Sequence, residues 1–166
     1  MRTVIGGISL FAAGMIAGIF MMQPGAAQPS SNNLGLRLNH VGVFAKNYDE
    51  SLRFYTQTMG LKEAFTIKDN AGKPTLTYLQ ISKDTFLELA PASGDRTPGL
   101  SHVGIWPENL AATIAGLRQR GVTVADPRTG STQTSITSIT DPNGIRLELL
   151  DFLPESLPRK AMDSWK

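Results

Sequence analysis

The sequence predicts an α+β fold built from two βαβββ modules. Three observations carry that reading. The first is an internal repeat: Leu38-Asn39-His40-Val41-Gly42-Val43 returns as Leu100-Ser101-His102-Val103-Gly104-Ile105, an offset of 62 residues. The second is that each copy holds one stretch with helical apolar spacing, set among runs with strand character. The third is composition. The chain has 166 residues, 41% hydrophobic and 18% charged, with no cysteine. That is enough for one apolar core and too little for two ordinary domains. The absence of cysteine excludes a disulfide framework, a zinc finger, a thiolate nucleophile and an iron–sulfur cluster. The net charge of +2 comes from 16 Lys and Arg against 14 Asp and Glu, without a basic run, so nothing points to a nucleic-acid partner.

The chain begins with Arg2 and then nineteen uncharged, mostly apolar residues, Val4–Met22. Gly25 and Ala27 follow as small residues. This is the order of a secretory signal, with cleavage expected after Ala27. An uncleaved anchor is the alternative, because such a stretch can just span a bilayer. Residues 1–27 are thus read as an address and 28–35 as a linker. The domain is 36–152, with modules 36–92 and 99–152, and the tail is 153–166. The expected location is the periplasm or the exterior, without membrane contact after cleavage.

The elements follow in order. Leu38–Phe44 is rich in apolar and β-branched residues and reads as the first strand. Asn47 is the expected N-cap of a helix carrying Tyr48, Leu52, Tyr55 and Met59 on its core face, and Gly60 stops it. Leu61–Lys68 and Thr75–Ser82 read as strands around the turn Asp69-Asn70-Ala71-Gly72. Thr85–Ala90 closes the first module. In the second module Leu100–Trp106 is the first strand. Asn109 is the cap, and Leu110, Ile114 and Leu117 mark one helix face that ends at Gly121. Val122–Ala125 and Ser131–Thr140 are the next expected strands. Asp141-Pro142-Asn143-Gly144 is a tight turn, and Ile145–Asp151 is the last strand.

The chemistry sits at four repeated positions. Each module supplies a histidine early in its first strand and a glutamate in its last: His40 with Glu88, and His102 with Glu148. These are the only two histidines in the chain, and they fall at equivalent positions. Each glutamate lies between two leucines, so alternation turns it to the face that neither leucine occupies. A carboxylate on an inward face needs a partner or a metal. A pseudo-two-fold pairing of the modules gathers two imidazoles and two carboxylates. That set suits one divalent ion such as Zn, Ni, Co, Fe or Mn.

The paired L-x-H-V-G strand starts, the Asp141-Pro142-Asn143-Gly144-Ile145-Arg146-Leu147-Glu148-Leu149 ending and the duplicated modules resemble the vicinal oxygen chelate superfamily. Its members include glyoxalase I, methylmalonyl-CoA epimerase, extradiol dioxygenases and antibiotic resistance proteins. The resemblance covers about residues 36–152. It implies a cupped mixed sheet, a pseudo-barrel around a metal cavity, with His40, Glu88, His102 and Glu148 as ligands. The cavity lies within one chain or across a homodimer.

The four-ligand set looks most like glyoxalase I. That implies metal-assisted proton transfer through an enediolate on an α-hydroxy carbonyl substrate, a lyase or isomerase reaction. Glu148 is then the catalytic base and Glu88 its symmetric partner. An extradiol dioxygenase is an alternative, disfavoured because it needs a third histidine. A metal-free resistance protein that only binds a small molecule is another, disfavoured because all four ligand types are retained. The glutathione anchors of glyoxalase I are replaced here by Phe44 and Ala92, so the small-molecule substrate is expected to be smaller or more apolar, or an adduct of another thiol. Phe44, Phe86 and Trp106 lie at even spacings from ligands on their own strands and are expected to line the pocket. Arg146, two residues before Glu148, is expected to hold a substrate anion.

Overall fold

The computed structural model describes residues 34–166. The predicted signal segment 1–27, and the linker up to residue 33, lie outside the described residues. Leu34–Lys166 forms one compact unit. Its eight strands are β1 (Arg37–Ala45), β2 (Lys62–Lys68), β3 (Pro74–Ser82), β4 (Thr85–Pro91), β5 (Gly99–Trp106), β6 (Arg128–Thr129), β7 (Ser135–Thr140) and β8 (Arg146–Asp151). They form one mixed sheet in the order β2-β3-β4-β1-β5-β8-β7-β6. Each module's first strand pairs in parallel with its last, β1 with β4 and β5 with β8. The modules join through the antiparallel β1–β5 pair at the centre.

The sheet curls. Phe65 on β2 and Ile136 on β7 stand near opposite ends of the strand order, yet both pack on one apolar cluster with Tyr78, Phe86, Leu150 and Phe152. Only a concave sheet brings them together. The helix α3 (Leu157–Asp163) completes that cluster with Ala161 and Met162, both buried. The tail therefore plugs the concave side. On the convex side α2 (Leu110–Gln119) buries Leu110 and Ile114 against Val124 and Leu149.

Both predicted N-caps form. Asn47 Oδ1 accepts the Glu50 amide at 3.1 Å and Asn109 Oδ1 accepts the Ala112 amide at 2.9 Å. Three differences from the sequence reading have physical causes. The helix α1 (Tyr48–Arg53) runs into a π-helical turn over Phe54–Thr58, where the Met59 amide donates to the Phe54 carbonyl five residues back. The wider turn rotates Met59 off the core face, and it stands 58% exposed. The second difference is the expected strand Val122–Ala125, which does not form. Arg118 donates two hydrogen bonds to the Val124 carbonyl, at 3.0 and 2.7 Å, and so occupies an acceptor that a strand ladder would use. A Gly130–Gln133 turn also shortens the next strand to β7.

Candidate metal centre

The four repeated residues meet on the concave face. Strand register explains how. In the β1–β5 pair His40 lies opposite Gly104, and Gly42 lies opposite His102. Gly42 also pairs with Glu88, and Gly104 with Glu148. Two rows therefore cross the centre of the sheet. One reads Glu88, Gly42, His102, and the other His40, Gly104, Glu148. Each imidazole lies over the glycine of the neighbouring strand. A Cβ on Gly42 would fall inside the His102 ring's contact radius, and one on Gly104 inside that of His40. The glycine two residues after each histidine is thus required by the other module's histidine. The sequence reading held the H-V-G pattern but gave its glycine no role.

The distances are those of a shared centre. His40 Nε2 and His102 Nε2 are 2.9 Å apart. Glu88 oxygens lie 3.6 Å from His40 Nε2 and 3.7 Å from His102 Nε2. Glu148 Oε2 lies 3.8 and 3.5 Å from the same two nitrogens. A divalent ion with bonds of about 2.1 Å places neighbouring donors roughly 3.0–3.4 Å apart. Donor atoms of His40, Glu88 and His102 lie close enough together to hold one such ion, and the Glu148 carboxylate stands within 3.8 Å of both histidine nitrogens. Both histidines are buried, at 0% and 2% exposure, as deep ligands to an enclosed ion would be.

The residue before each histidine orients it. His40 Nδ1 lies 3.0 Å from Asn39 Oδ1, and Asn39 Nδ2 donates to the Asp84 carbonyl at 2.8 Å. That second bond fixes the amide, so Oδ1 accepts the Nδ1 proton and leaves the Nε2 lone pair facing the centre. In the other module His102 Nδ1 lies 3.0 Å from Ser101 Oγ, the equivalent repeat position. Arg146 Nη2 also stands 3.0 Å from Nδ1. A guanidinium only donates, so this approach and a proton on Nδ1 exclude one another. Ligation through Nε2 calls for the Ser101 contact, with Arg146 on its other partner, the Glu148 carboxylate.

Tyr78 supports the centre from the neighbouring strand. It pairs with Glu88 across β3–β4, which sets its phenol beside that carboxylate. Burial pushes the Tyr78 phenol well above its usual range, and the Glu88 charge adds to this, so it remains a neutral donor. Burial raises the Glu88 pKa, but the His102 hydrogen bond, the two imidazoles and Tyr78 outweigh it, and the net shift is downward. Asn39, Ser101 and Tyr78 had no role in the sequence reading. The repeat itself carried a signal for the first two, since both stand directly before a histidine.

A cavity of about 420 Å³ opens above the centre, and His102, Glu88 and Glu148 are part of its wall. Phe44 and Arg146 line it, where the sequence reading put them. Phe86 and Trp106 do not, and their assignment as pocket residues is corrected here. Phe86 shares the concave face but lies lower, fully buried between Tyr78 and the α3 plug. Trp106 packs edge-on to Phe152 at 5.0 Å, with the Arg37 guanidinium 4.1 Å from its ring centre. Even spacing fixes the face of a strand but not the depth along it.

The family comparison agrees with this architecture. Residues 37–149 match the model of the Glyoxalase/Bleomycin resistance protein/Dioxygenase superfamily. The chain belongs to this superfamily. Among its relatives is a probable lactoylglutathione lyase of Vibrio parahaemolyticus, 27% identical over 124 residues, spanning 69% of this chain and 89% of the relative. A Streptomyces coelicolor methylmalonyl-CoA epimerase in complex with 2-nitronate-propionyl-CoA shares the fold, with a TM-score of 0.61 at 24% identity, covering 72% of this chain and 96% of that one. The epimerase of Mycobacterium tuberculosis superposes with a TM-score of 0.60 at 22% identity, over 71% and 89% of the two chains.

Proposed function

We propose that this protein is an exported, metal-dependent enzyme of lyase or isomerase type, acting on an α-hydroxy carbonyl compound by proton transfer. The observation that carries the reading is the convergence of His40, Glu88, His102 and Glu148 on one buried point beneath an open cavity. His40 and His102 would hold the ion through Nε2, with Glu88 and Glu148 as its carboxylate ligands. When bound, such an ion acts as a Lewis acid that polarises substrate oxygens and favours loss of the adjacent carbon-bound proton.

The chain's own groups do the rest. Glu88 and Glu148 flank the centre from opposite sides, so one can take a proton from carbon and the other can return it next door. Glu148 is read as the base, and Arg146 beside it can hold its carboxylate in position. Tyr78 stands beside Glu88 with its phenol pushed upward by burial, so it faces that carboxylate as a neutral group. Phe44 on the cavity wall replaces a polar anchor for glutathione, which supports a substrate not carried on that thiol. The apolar, small-residue-ended segment at residues 1–27 supports export.

The test is proton exchange in deuterated water, using the metal-loaded protein and a panel of α-hydroxy carbonyl compounds. The expected result is deuterium entering the carbon next to the carbonyl of at least one compound. Glu148→Gln should slow that exchange by about a hundredfold or more, in line with loss of general-base catalysis. Absence of exchange in every compound, with the metal bound, would remove the enzymatic reading and leave a binding protein.

A further inference from the structure

The cavity wall carries more positive charge than the centre can use. Three arginines line it, Arg96, Arg128 and Arg146, together with two carboxylates, Glu88 and Glu148. Arg146 is matched by Glu148. Arg96 and Arg128 are not matched: among the described residues no carboxylate pairs with either guanidinium. Both residues are exposed, at the solvent side of the cavity, whereas the carboxylates lie at its floor. A divalent ion at the floor would neutralise the glutamates and leave the wall cationic.

Arg96 is also held in place. Its guanidinium carbon stands 5.3 Å from the centre of the Phe44 ring, a cation–π contact that aims it over the cavity wall. Arg96 comes from the segment between the modules and Arg128 from β6, so two distant parts of the chain bring their charges to one opening. Thr75, Ser131 and Thr132 add hydroxyls to the same wall. Phe44 itself suggests an apolar substrate when read from sequence. The structure adds to that expectation, because Arg96 stands over the Phe44 ring and brings a cation to the same wall.

We propose that the substrate carries an anionic group, a carboxylate or a phosphate, at the end remote from its hydroxy-carbonyl head, and that Arg96 and Arg128 receive it. This inference rests on the metal-centre reading above and names the substrate class for that site. The planar guanidinium fork matches both oxyanions in two-point contact. The chelating head at the floor and the anion at the opening fix the substrate at two ends. This selects for length as well as charge.

The experiment uses two chelating probes on the metal-loaded protein, followed by calorimetry. Pentanohydroxamate is neutral, and glutaric monohydroxamate adds a terminal carboxylate at similar length. A phosphate-ended hydroxamate forms a third arm and decides between the two anions. The expected result is that an anionic probe binds about tenfold tighter than the neutral one, as a charge-assisted contact at an exposed site allows. Arg96→Ala/Arg128→Ala should erase that margin and leave pentanohydroxamate binding unchanged, which also shows the variant to be folded. Equal affinities for all three probes would overturn the inference while leaving the metal centre standing, and so would a margin that survives the double substitution. Failure of the neutral probe together with the anionic ones would instead overturn the metal-centre reading, and this inference with it.

Discussion

Gly42 and Gly104 leave room for the two imidazoles, and Asn39 and Ser101 turn them. Each of these four residues acts on a histidine through contact rather than through chemistry of its own. The histidines and glutamates were legible in the sequence because repetition at fixed offsets is hard to produce otherwise. Their supports were not, because a support is defined by which strand lies alongside, and register is a tertiary fact. Asn39 gives the sharpest residue-scale prediction. It is fully buried and its Oδ1 fixes the tautomer of His40. Asn39→Ala should weaken metal affinity by about tenfold to a hundredfold, the usual cost of losing an orienting partner. Competition with a chromophoric chelator measures this. An unchanged affinity would mean that His40 needs no such orientation.

Turns and helices tell a different story at the scale of the element. The tight turns were readable because their chemistry is local. Asp69 Oδ1 accepts the amides of Ala71 and Lys73, both at 2.9 Å, and Asp141 Oδ1 accepts those of Asn143 and Ile145, both at 2.8 Å. Gly72 and Gly144 close these turns at φ of 79° and 84°, where a Cβ would be strained. The π-turn after α1 and the missing strand at Val122–Ala125 were not readable. One depends on the Met59 amide reaching the Phe54 carbonyl five residues back, which apolar spacing does not foretell, and the other on a side chain capturing a backbone acceptor. The Ile145 amide, then the Asn143 side chain, hold the Asp141 carboxyl below its ordinary value of 3.8. A depressed carboxyl pKa stabilises the fold above the unfolded value and loses that contribution as pH falls through the folded one. The amide resonances of Asn143 and Ile145 should therefore shift with a midpoint below pH 3.8. A midpoint at or above that value would show that the turn does not depend on the ionised carboxylate. The plug helix α3 makes a second element-scale prediction. Met162 is 4% exposed within the cluster that closes the concave side. Met162→Ala should cost about 2–4 kcal/mol in denaturant unfolding, the usual cost of an unfilled core position. A loss below about 0.5 kcal/mol, the range of ordinary surface substitutions, would mean that α3 is not docked.

For the whole molecule, duplication is the organising fact. Two βαβββ modules alone would each present one histidine and one glutamate. Joined through β1 and β5, they place each histidine in a row with the other module's glutamate. Neither module can build the centre without the other. The curl of the sheet then sets the cavity on the side that α3 leaves open, with carboxylates at its floor and Arg96 and Arg128 at its opening. The alternation of strand residues predicted which face the site occupies, but it could not separate Phe44 on the cavity wall from Phe86 in the plug. That distinction depends on where the tail returns to the sheet.

The most direct test of the central claim is metal content. Elemental mass spectrometry on the purified protein, beside the His40→Ala/His102→Ala variant, reads the centre without reference to any substrate. The account predicts about one equivalent of Zn, Ni, Co, Fe or Mn per chain in the parent and none in the variant. A parent protein that retains no metal and takes up none on titration would contradict it, as would equal metal in both proteins.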